Sequence, residues 1–305
     1  MPGVLGKFDN SPGISEGLNA VAVDGGDYAY VANAYGSSPQ ACAENHNCAQ
    51  LQVIDIDPPG SVSVVRNKKI NSVASGNRLA RGTSIFHKDG VIYLGLANAT
   101  SGNEFFILDV GGGGAGGSPT NPLVLSSVEI GNGINSIFVR NNYAYLASPN
   151  SQELKIYNVT SLSSPSPAGY YNAPTGGGNG KSMYLVGNKL YLGITVPNSG
   201  NDFHILNNFN SDIALPELGG MNSASSINGV IIRDYLAFLI TGDGEFQTWR
   251  IDNPGSITQY ANPLTLPPGT GGSLSGTASD CEGNYIFVGS NSSNDKGWIS
   301  IITGS

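Results

Sequence analysis

The sequence predicts an all-β fold, a six-bladed β-propeller with four antiparallel strands per blade. One apolar strand pattern recurs at intervals of 43 to 54 residues, and a period of about 45 residues is typical of propeller blades. Its six copies begin at Leu51, Phe105, Leu154, Phe203, Phe246 and Trp298. The 43 glycines among 305 residues favour turns, and the many β-branched segments favour strands over helices.

A β-hairpin precedes each copy of this strand. In the first unit, residues 19–23 and 28–32 have the pattern of two strands joined by a tight turn at 24–27. Later units carry Gly, Asn or Asp, the residues that best tolerate a positive φ, in their turns. Those turns lie at 88–90, 140–142, 187–189, 233–234 and 282–284.

A weaker fourth strand follows the repeated strand, with the Pro and polar residues of an outer edge strand. It is predicted at 61–65, 123–128, 168–171 and 256–260. The sixth unit reaches Ser305 without one, whereas residues 2–12 resemble the fourth strand and exit at 167–174. We therefore expect the N-terminal strand to complete the sixth blade and close a single domain, 1–305. Its blades span about 18–70, 81–131, 133–174, 180–222, 226–266, and 275–305 with 3–9.

Charge and hydropathy exclude several classes of partner. The formal net charge is −8, and charged residues make up only 12% of the chain. Nucleic acids and anionic membranes require a basic face, so neither is expected as a partner. No stretch approaches 18 apolar residues, which argues against direct membrane insertion. The start shows no signal-peptide pattern, so the protein is either cytoplasmic or a mature fragment of a longer, exported precursor. We expect the fragment, mainly because of the cysteine usage.

Cysteine usage favours an oxidising compartment. Cys42 and Cys48 lie in one loop, where a local disulfide is the simplest interpretation. Two free thiols are the main alternative. A metal site with Glu44 and His46 is a weaker one, because Cys-x5-Cys is not a usual zinc spacing. Cys281 lies in an apolar strand and is expected to be a buried free thiol.

Two strand cores, 51–56 and 154–159, are followed by Ser/Pro-rich turns and resemble the repeats of LVIVD-type β-propellers. The resemblance covers nearly the whole chain. Residues 180–193 and 280–284 are similar to propeller domains that uncultivated small-genome bacteria carry behind a prepilin-type N-terminal helix. This resemblance implies a cell-surface or pilus-associated role and supplies no catalytic residues. The helix itself is not in this sequence, so surface anchoring is an expectation.

Propeller ligands usually meet the central channel, which the first strand of each blade lines. Six short hydrogen-bonding residues, here called the entry residues, come just before those strands. They are Asn19, Thr83, Asn135, Ser182, Asn228 and Thr277. They either satisfy backbone groups where the strands converge or form a polar ligand site at one channel mouth.

Asp280 stands where the other first strands carry hydrophobic residues. Its counterparts in the predicted alignment are Ala22, Phe86, Phe138, Leu185 and Ile231. A buried carboxylate is costly without a partner, so Asp280 either caps local backbone or marks a ligand site. His87 likewise replaces an aliphatic residue, and a hydrogen-bonded core histidine is the simpler interpretation.

Six-bladed propellers also include metal-dependent lactonases and sialidases. A calcium-dependent lactonase needs carboxylates and amides converging on the channel, and Asp280 with the entry residues would supply them. A sialidase needs clustered arginines, whereas the Arg residues here are dispersed. Ser-His-Asp catalysis has no support, because none of the three His residues has a nucleophile-elbow context.

Two insertions, 33–50 and 111–122, break the repeat spacing. Long loops on a rigid scaffold commonly carry recognition. Tyr35, Glu44 and His46 of the first insertion are therefore a predicted contact surface, and a decorative surface loop is the alternative. The second insertion is Gly-rich and expected to be flexible.

The preferred functional interpretation is a non-catalytic binding, adhesion or display module on a bacterial cell surface. Such a module would recognise a protein or glycan through its loop tips and one channel mouth. The alternative is a metal-dependent hydrolase or lactonase that uses the channel, because propellers host both activities. A spacer in a surface filament is a third interpretation. We expect a monomer without a cofactor, apart from Ca²⁺ in the lactonase alternative.

Overall fold

Strands dominate the structure, as the sequence predicts. The structure, a computed structural model, describes residues 18–33, 49–70, 73–74, 78–149, 152–174, 178–195, 199–207, 215–266, 275–291 and 297–303. Across these ranges the strands form five four-stranded sheets, one three-stranded sheet and one two-stranded sheet. The only helical element within them is a 3-10 turn, Pro59–Ser61. This part of the chain contains no helix that is long and apolar enough to cross a membrane.

Strands that are consecutive in sequence are antiparallel neighbours in each sheet. The first sheet contains β1 (Leu18–Val23), β2 (Tyr28–Asn33), β3 (Leu51–Asp55) and β4 (Ser63–Lys68). A two-stranded ribbon follows, made of β5 (Val73–Ala74) and β6 (Arg78–Leu79). The second sheet contains β7 (Gly82–Lys88), β8 (Val91–Leu96), β9 (Phe105–Asp109) and β10 (Leu123–Val128).

The remaining sheets repeat this order. The third contains β11 (Ser136–Arg140), β12 (Tyr143–Ala147), β13 (Leu154–Asn158) and β14 (Ser166–Tyr171). The fourth contains β15 (Gly180–Val186), β16 (Lys189–Ile194), β17 (Phe203–Asn207) and β18 (Glu217–Met221). The fifth contains β19 (Ile227–Arg233), β20 (Leu236–Thr241), β21 (Glu245–Arg250) and β22 (Thr258–Thr265). The sixth contains three strands, β23 (Ser275–Glu282), β24 (Tyr285–Asn291) and β25 (Gly297–Thr303).

The predicted hairpin and repeated strand are present in every unit, whereas two of the predicted fourth strands are displaced. β4 begins at Ser63 because Pro59–Ser61 forms the 3-10 turn, and β22 runs on to Thr265. Two groups of predictions lie outside the described residues. One is the N-terminal strand expected to complete the sixth sheet. The other is the loop with Tyr35, Cys42, Glu44, His46 and Cys48.

The chain divides into two compact units. Unit 1 comprises Met1–Leu146 and Tyr157–Pro167, and unit 2 comprises Ala147–Ile156 and Ala168–Ser305. In unit 1, successive residues of β9 point to opposite faces of the sheet and enter different cores. Phe106 and Leu108 pack with β2 and β3, whereas Phe105 and Ile107 pack with β11 and β12. In unit 2, β19 alternates in the same way between two cores.

A buried polar residue directly before the third strand holds the chain in four successive sheets. Gln50 Oε1 accepts a hydrogen bond from the Ile70 amide at 2.8 Å, and Glu104 Oε2 accepts one from Ile130 at 2.9 Å. Glu153 and Asp202 do the same for the amides of Ala173 and Ser223. Each bond fixes the segment that leaves the fourth strand. These four repeats therefore share a buried hydrogen bond from that segment to the residue before the third strand, as well as an apolar strand.

The Gly-rich insertion, expected to be flexible, is folded around one carboxylate. Asp109, only 1% exposed, accepts hydrogen bonds from the amides of Gly111, Gly113, Ala115 and Gly117 at 2.7–3.1 Å. A Cβ atom at Gly112 would overlap the Asp89 carbonyl oxygen, so glycine is required there. Side-chain-free residues let the backbone curl tightly enough to present four donors to Asp109.

Candidate functional site

Four of the six entry residues, Asn19, Thr83, Asn228 and Thr277, lie at an irregularity that five of the sheets share. In five sheets the pairing of the first strand with the second skips one residue. The skipped residues are Asn19, Thr83, Lys181, Asn228 and Thr277. A β-bulge of this kind re-aims a side chain, and bulges are over-represented next to active sites.

In the fourth sheet the bulge falls on Lys181, one residue before the predicted entry residue Ser182. The hairpin turns explain the difference. The first positive-φ turn residue comes six positions after Thr83, Asn135, Asn228 and Thr277, at Asp89, Asn141, Asp234 and Gly283. In the fourth sheet that residue is Gly187, which places Lys181 at the equivalent position. The sequence contained this signal, but the turn was predicted at 187–189 rather than at Gly187 and Asn188.

Three entry residues donate hydrogen bonds to backbone carbonyl groups. Asn19 Nδ2 lies 2.6 Å from the Gly82 oxygen, Thr83 Oγ1 lies 2.5 Å from that of Ile134, and Ser182 Oγ lies 3.1 Å from that of Ile227. The proton of each hydroxyl is directed to a carbonyl oxygen, so Thr83 and Ser182 offer lone pairs to any further partner. Such oxygens suit the hydroxyl donors of a ligand. Ligand binding by the entry residues stays a prediction.

Ser182 makes the contact that Ser84 makes in the second sheet. Ser84 Oγ lies 3.1 Å from the Ile134 oxygen, as Ser182 Oγ does from that of Ile227. The pairing of β15 with β16 supports the same alignment, because Tyr184 pairs with Tyr191 as Phe86 pairs with Tyr93. Ser182 therefore occupies the position after the bulge.

Asp280 lies in β23 opposite Phe287 of β24. Its counterpart in the fourth sheet is Tyr184 rather than the predicted Leu185. The Asp280 and Thr277 side chains lie outside the described residues.

His87 stacks on Tyr30 with ring centroids 5.2 Å apart, and burial lowers its pKa below the ordinary value. Its Nε2 atom has no hydrogen-bond partner within the described part of the chain.

A second polar cluster, which the sequence did not predict, lies in unit 2. His204 of β17 is 2% exposed, and its Nδ1 atom lies 2.9 Å from Glu217 Oε1 and 3.1 Å from the Tyr171 hydroxyl. Tyr171 donates to Glu217 Oε2 at 2.7 Å. Every polar atom of this cluster faces another member or the backbone, so it is equipped to hold β14, β17 and β18 together rather than to bind a ligand.

A cleft of about 650 Å³ opens in unit 2 beside the β19–β20 turn. Aromatic rings form much of its wall, with Phe238 and Phe246 stacked 5.8 Å apart and Tyr260 55% exposed. Arg233 and Asp234 line it as well. None of the entry residues lines this cleft, so it is separate from the predicted site.

Solved structures identify the fold. A periplasmic gluconolactonase from Pseudomonas aeruginosa superimposes with a TM-score of 0.62 at 11% identity, covering 82% of this chain and 69% of its own. A candidate 6-phosphogluconolactonase from Bacteroides uniformis gives 0.61 at 12% identity, with coverages of 81% and 70%. A protein from Lactobacillus plantarum gives 0.64 at 10% identity, with coverages of 91% and 81%. The chain matches no protein-family profile and no curated protein.

These likenesses establish an all-β, propeller-like fold of repeated four-stranded sheets. They also correct the preferred functional interpretation. A non-catalytic binding or display module was expected, yet the structures that share the fold include lactonases. That expectation is wrong, because it rested on the lack of a recognisable catalytic motif, and a propeller can place catalytic groups without a local motif. Gluconolactonase or 6-phosphogluconolactonase is the name that these three structures carry, and lactonase was the alternative interpretation.

Proposed function

We propose that this protein is a lactonase that hydrolyses the cyclic ester of a sugar acid. The observation that carries the proposal is the fold, which is shared with a gluconolactonase and with candidate 6-phosphogluconolactonases over about four-fifths of the chain. The bulged entry position Thr83 supports it, because its hydroxyl proton is directed to the Ile134 carbonyl and its oxygen can accept a hydrogen bond from a polyhydroxylated substrate.

Asp280 is the residue to which we assign the general-base role. Its carboxylate would take a proton from a water molecule while the water oxygen bonds to the lactone carbonyl carbon. The ring C–O bond then breaks, and the departing alkoxide takes up a proton to become a hydroxyl. The product is an open-chain carboxylic acid, which ionises near neutral pH and releases one proton.

Calcium is the metal that an oxygen-rich site would take. The described residues include no group of three His, Cys, Asp or Glu side chains that could hold a metal ion. Asp280 is the only carboxylate among the predicted channel residues, whereas a calcium ion is usually held by several carboxylate oxygens. This donor set does not fit a resident calcium ion, and no step is assigned to one.

Finer features of the architecture belong to the same proposal. Among the described residues the sixth sheet has three strands, whereas five sheets have four, and this supports our proposal that residues 3–9 complete a six-bladed ring. We also propose LVIVD-type repeats, on the sequence of the strand cores 51–56 and 154–159. Export from the cytoplasm is proposed because one structural neighbour is a periplasmic gluconolactonase.

An Asp280→Asn variant tests the proposed site. We expect it to lose lactone hydrolysis by about 100-fold or more, the usual contribution of a general base. The matched control is Asp252→Asn, since Asp252 is an exposed carboxylate paired with Arg250 at 2.9 Å. Hydrolysis by Asp280→Asn at the wild-type rate would refute the role of Asp280. Calcium added to both proteins, with melting temperature and rate as readouts, tests metal dependence.

A further inference from the structure

We propose that Lys181 binds an anionic group, a carboxylate or a phosphate, of the ligand that enters beside the first strand of the fourth sheet. The inference rests on the proposed function and specifies the charge of the ligand, which is either a phosphorylated lactone or the carboxylate that ring opening produces. At the equivalent positions the other sheets have Asn19, Thr83, Asn135, Asn228 and Thr277, which are uncharged. Lys181 is therefore the single cation in this set.

The backbone on either side of Lys181 is fixed. The Gly180 amide donates to the Ser148 carbonyl at 2.9 Å, and a Cβ atom at Gly180 would overlap the Glu153 carbonyl oxygen. On the other side, Ser182 Oγ donates to the Ile227 carbonyl at 3.1 Å. Both neighbours are thus anchored to adjoining sheets. The bulge leaves Lys181 between two fixed points, and only its side chain can move to meet a ligand.

The ammonium group lacks a counter-charge in the described part of the molecule. Lys181 is half-buried, and no described residue forms a hydrogen bond or ion pair with it. Its three N–H donors are therefore available to an incoming anion. Lysine binds phosphate and carboxylate oxygens as a compact point charge with three donors. An anion in the site would therefore supply the partner that Lys181 is missing.

Two sources could supply the anion. Opening of the lactone creates a carboxylate, whereas a phosphorylated sugar brings a phosphate whether or not the ring has opened. Sodium gluconate carries only the carboxylate, and glucose 6-phosphate carries only the phosphate. Titrating each compound into the full chain by calorimetry separates the two sources.

The variants are Lys181→Gln, which removes the charge, and Lys181→Arg, which keeps it. Lys189→Gln is the matched control, because Lys189 is a half-buried lysine of the neighbouring strand β16. We expect Lys181→Gln to weaken binding of at least one of the two anions by about tenfold or more, since a hydrogen bond to a charged group is worth that much. Lys181→Arg should keep most of the affinity, and Lys189→Gln should bind like the wild type.

Equal affinities of the wild type and Lys181→Gln for both anions would overturn the inference, as would a wild-type protein that binds neither. Lactone hydrolysis is measured separately from anion binding. If anion binding depends on Lys181 while no lactone is hydrolysed, the anion site stands and the proposed reaction fails. If lactones are hydrolysed and Lys181→Gln binds both anions as tightly as the wild type does, the proposed reaction stands and the proposed role of Lys181 fails.

Discussion

Nδ1 of His204 and Oε1 of Glu217 lie 2.9 Å apart, with the His204 side chain almost completely buried. Nε2 of the same ring lies 3.1 Å from the Asn201 carbonyl oxygen, which can only accept, so Nε2 carries a proton. Nδ1 faces the Glu217 carboxylate on the other side of the ring. Burial raises the pKa of Glu217, but hydrogen bonds from His204 and Tyr171 outweigh burial and bring that pKa below its usual value.

Glu217→Gln should destabilise the protein in a pH-dependent way. At pH 7 we expect a loss of about 2 kcal/mol in the free energy of unfolding, because His204 and Tyr171 lose a charged acceptor. A carboxyl group with a lowered folded-state pKa stabilises the fold above its unfolded pKa, and that contribution disappears as pH falls through the folded value. The difference between wild type and variant should therefore shrink between pH 7 and pH 3. Urea unfolding across this range measures it, and a constant difference would contradict the account.

Asp109→Asn should loosen the Gly-rich loop. Burial raises the pKa of Asp109, but four backbone donors outweigh burial and lower that pKa to about 2. An asparagine offers one oxygen to these four amides, so we expect a loss of about 2–3 kcal/mol at pH 7. The loss should vanish as the pH approaches 2, where the wild-type carboxylate is also neutralised. Amide hydrogen exchange provides the readout. Unchanged protection of Gly111 to Gly117 in the variant would refute this prediction.

Glu153→Gln and Glu104→Gln should differ, although both residues precede a third strand. Burial raises the pKa of each carboxyl above its usual value. Glu153 Oε1 has no partner among the described residues, so a glutamine at this position loses no hydrogen bond. In the first sheet the Gln50 amide nitrogen at the corresponding position donates to the Ile70 carbonyl at 2.8 Å. Glu104 uses both oxygens, for the Ala99 and Ile130 amides. We expect Glu153→Gln to keep or raise the melting temperature and Glu104→Gln to lower it. A lower melting temperature for Glu153→Gln than for Glu104→Gln would contradict the roles assigned to these two carboxyl groups.

Repetition made the fold predictable from the sequence. Six similar strands and their hairpins could be aligned with one another, so the strand order followed from the pattern around Leu51 and Phe105. The alignment failed by one residue where Gly187 opens the turn, because a glycine and an asparagine both tolerate positive φ and the sequence does not say which residue begins the turn. Because of this shift by one residue, the sequence alignment placed Ser182 rather than Lys181 at the bulge position of the fourth sheet.

Contacts between distant segments were not predictable in the same way. Tyr171, His204 and Glu217 come from three strands, and no repeat in the sequence relates them. The Asp109 loop was expected to be flexible because glycine-rich composition usually indicates flexibility. The loop is instead ordered by a carboxylate that belongs to the preceding strand.

Proton release from a panel of aldonic acid lactones, measured with the full chain by pH-stat, tests the central claim most directly. The account predicts that at least one lactone opens about 100-fold or more faster than in buffer. It also predicts that Asp280→Asn abolishes this acceleration. Hydrolysis no faster than in buffer for every lactone, with and without added calcium, would contradict it.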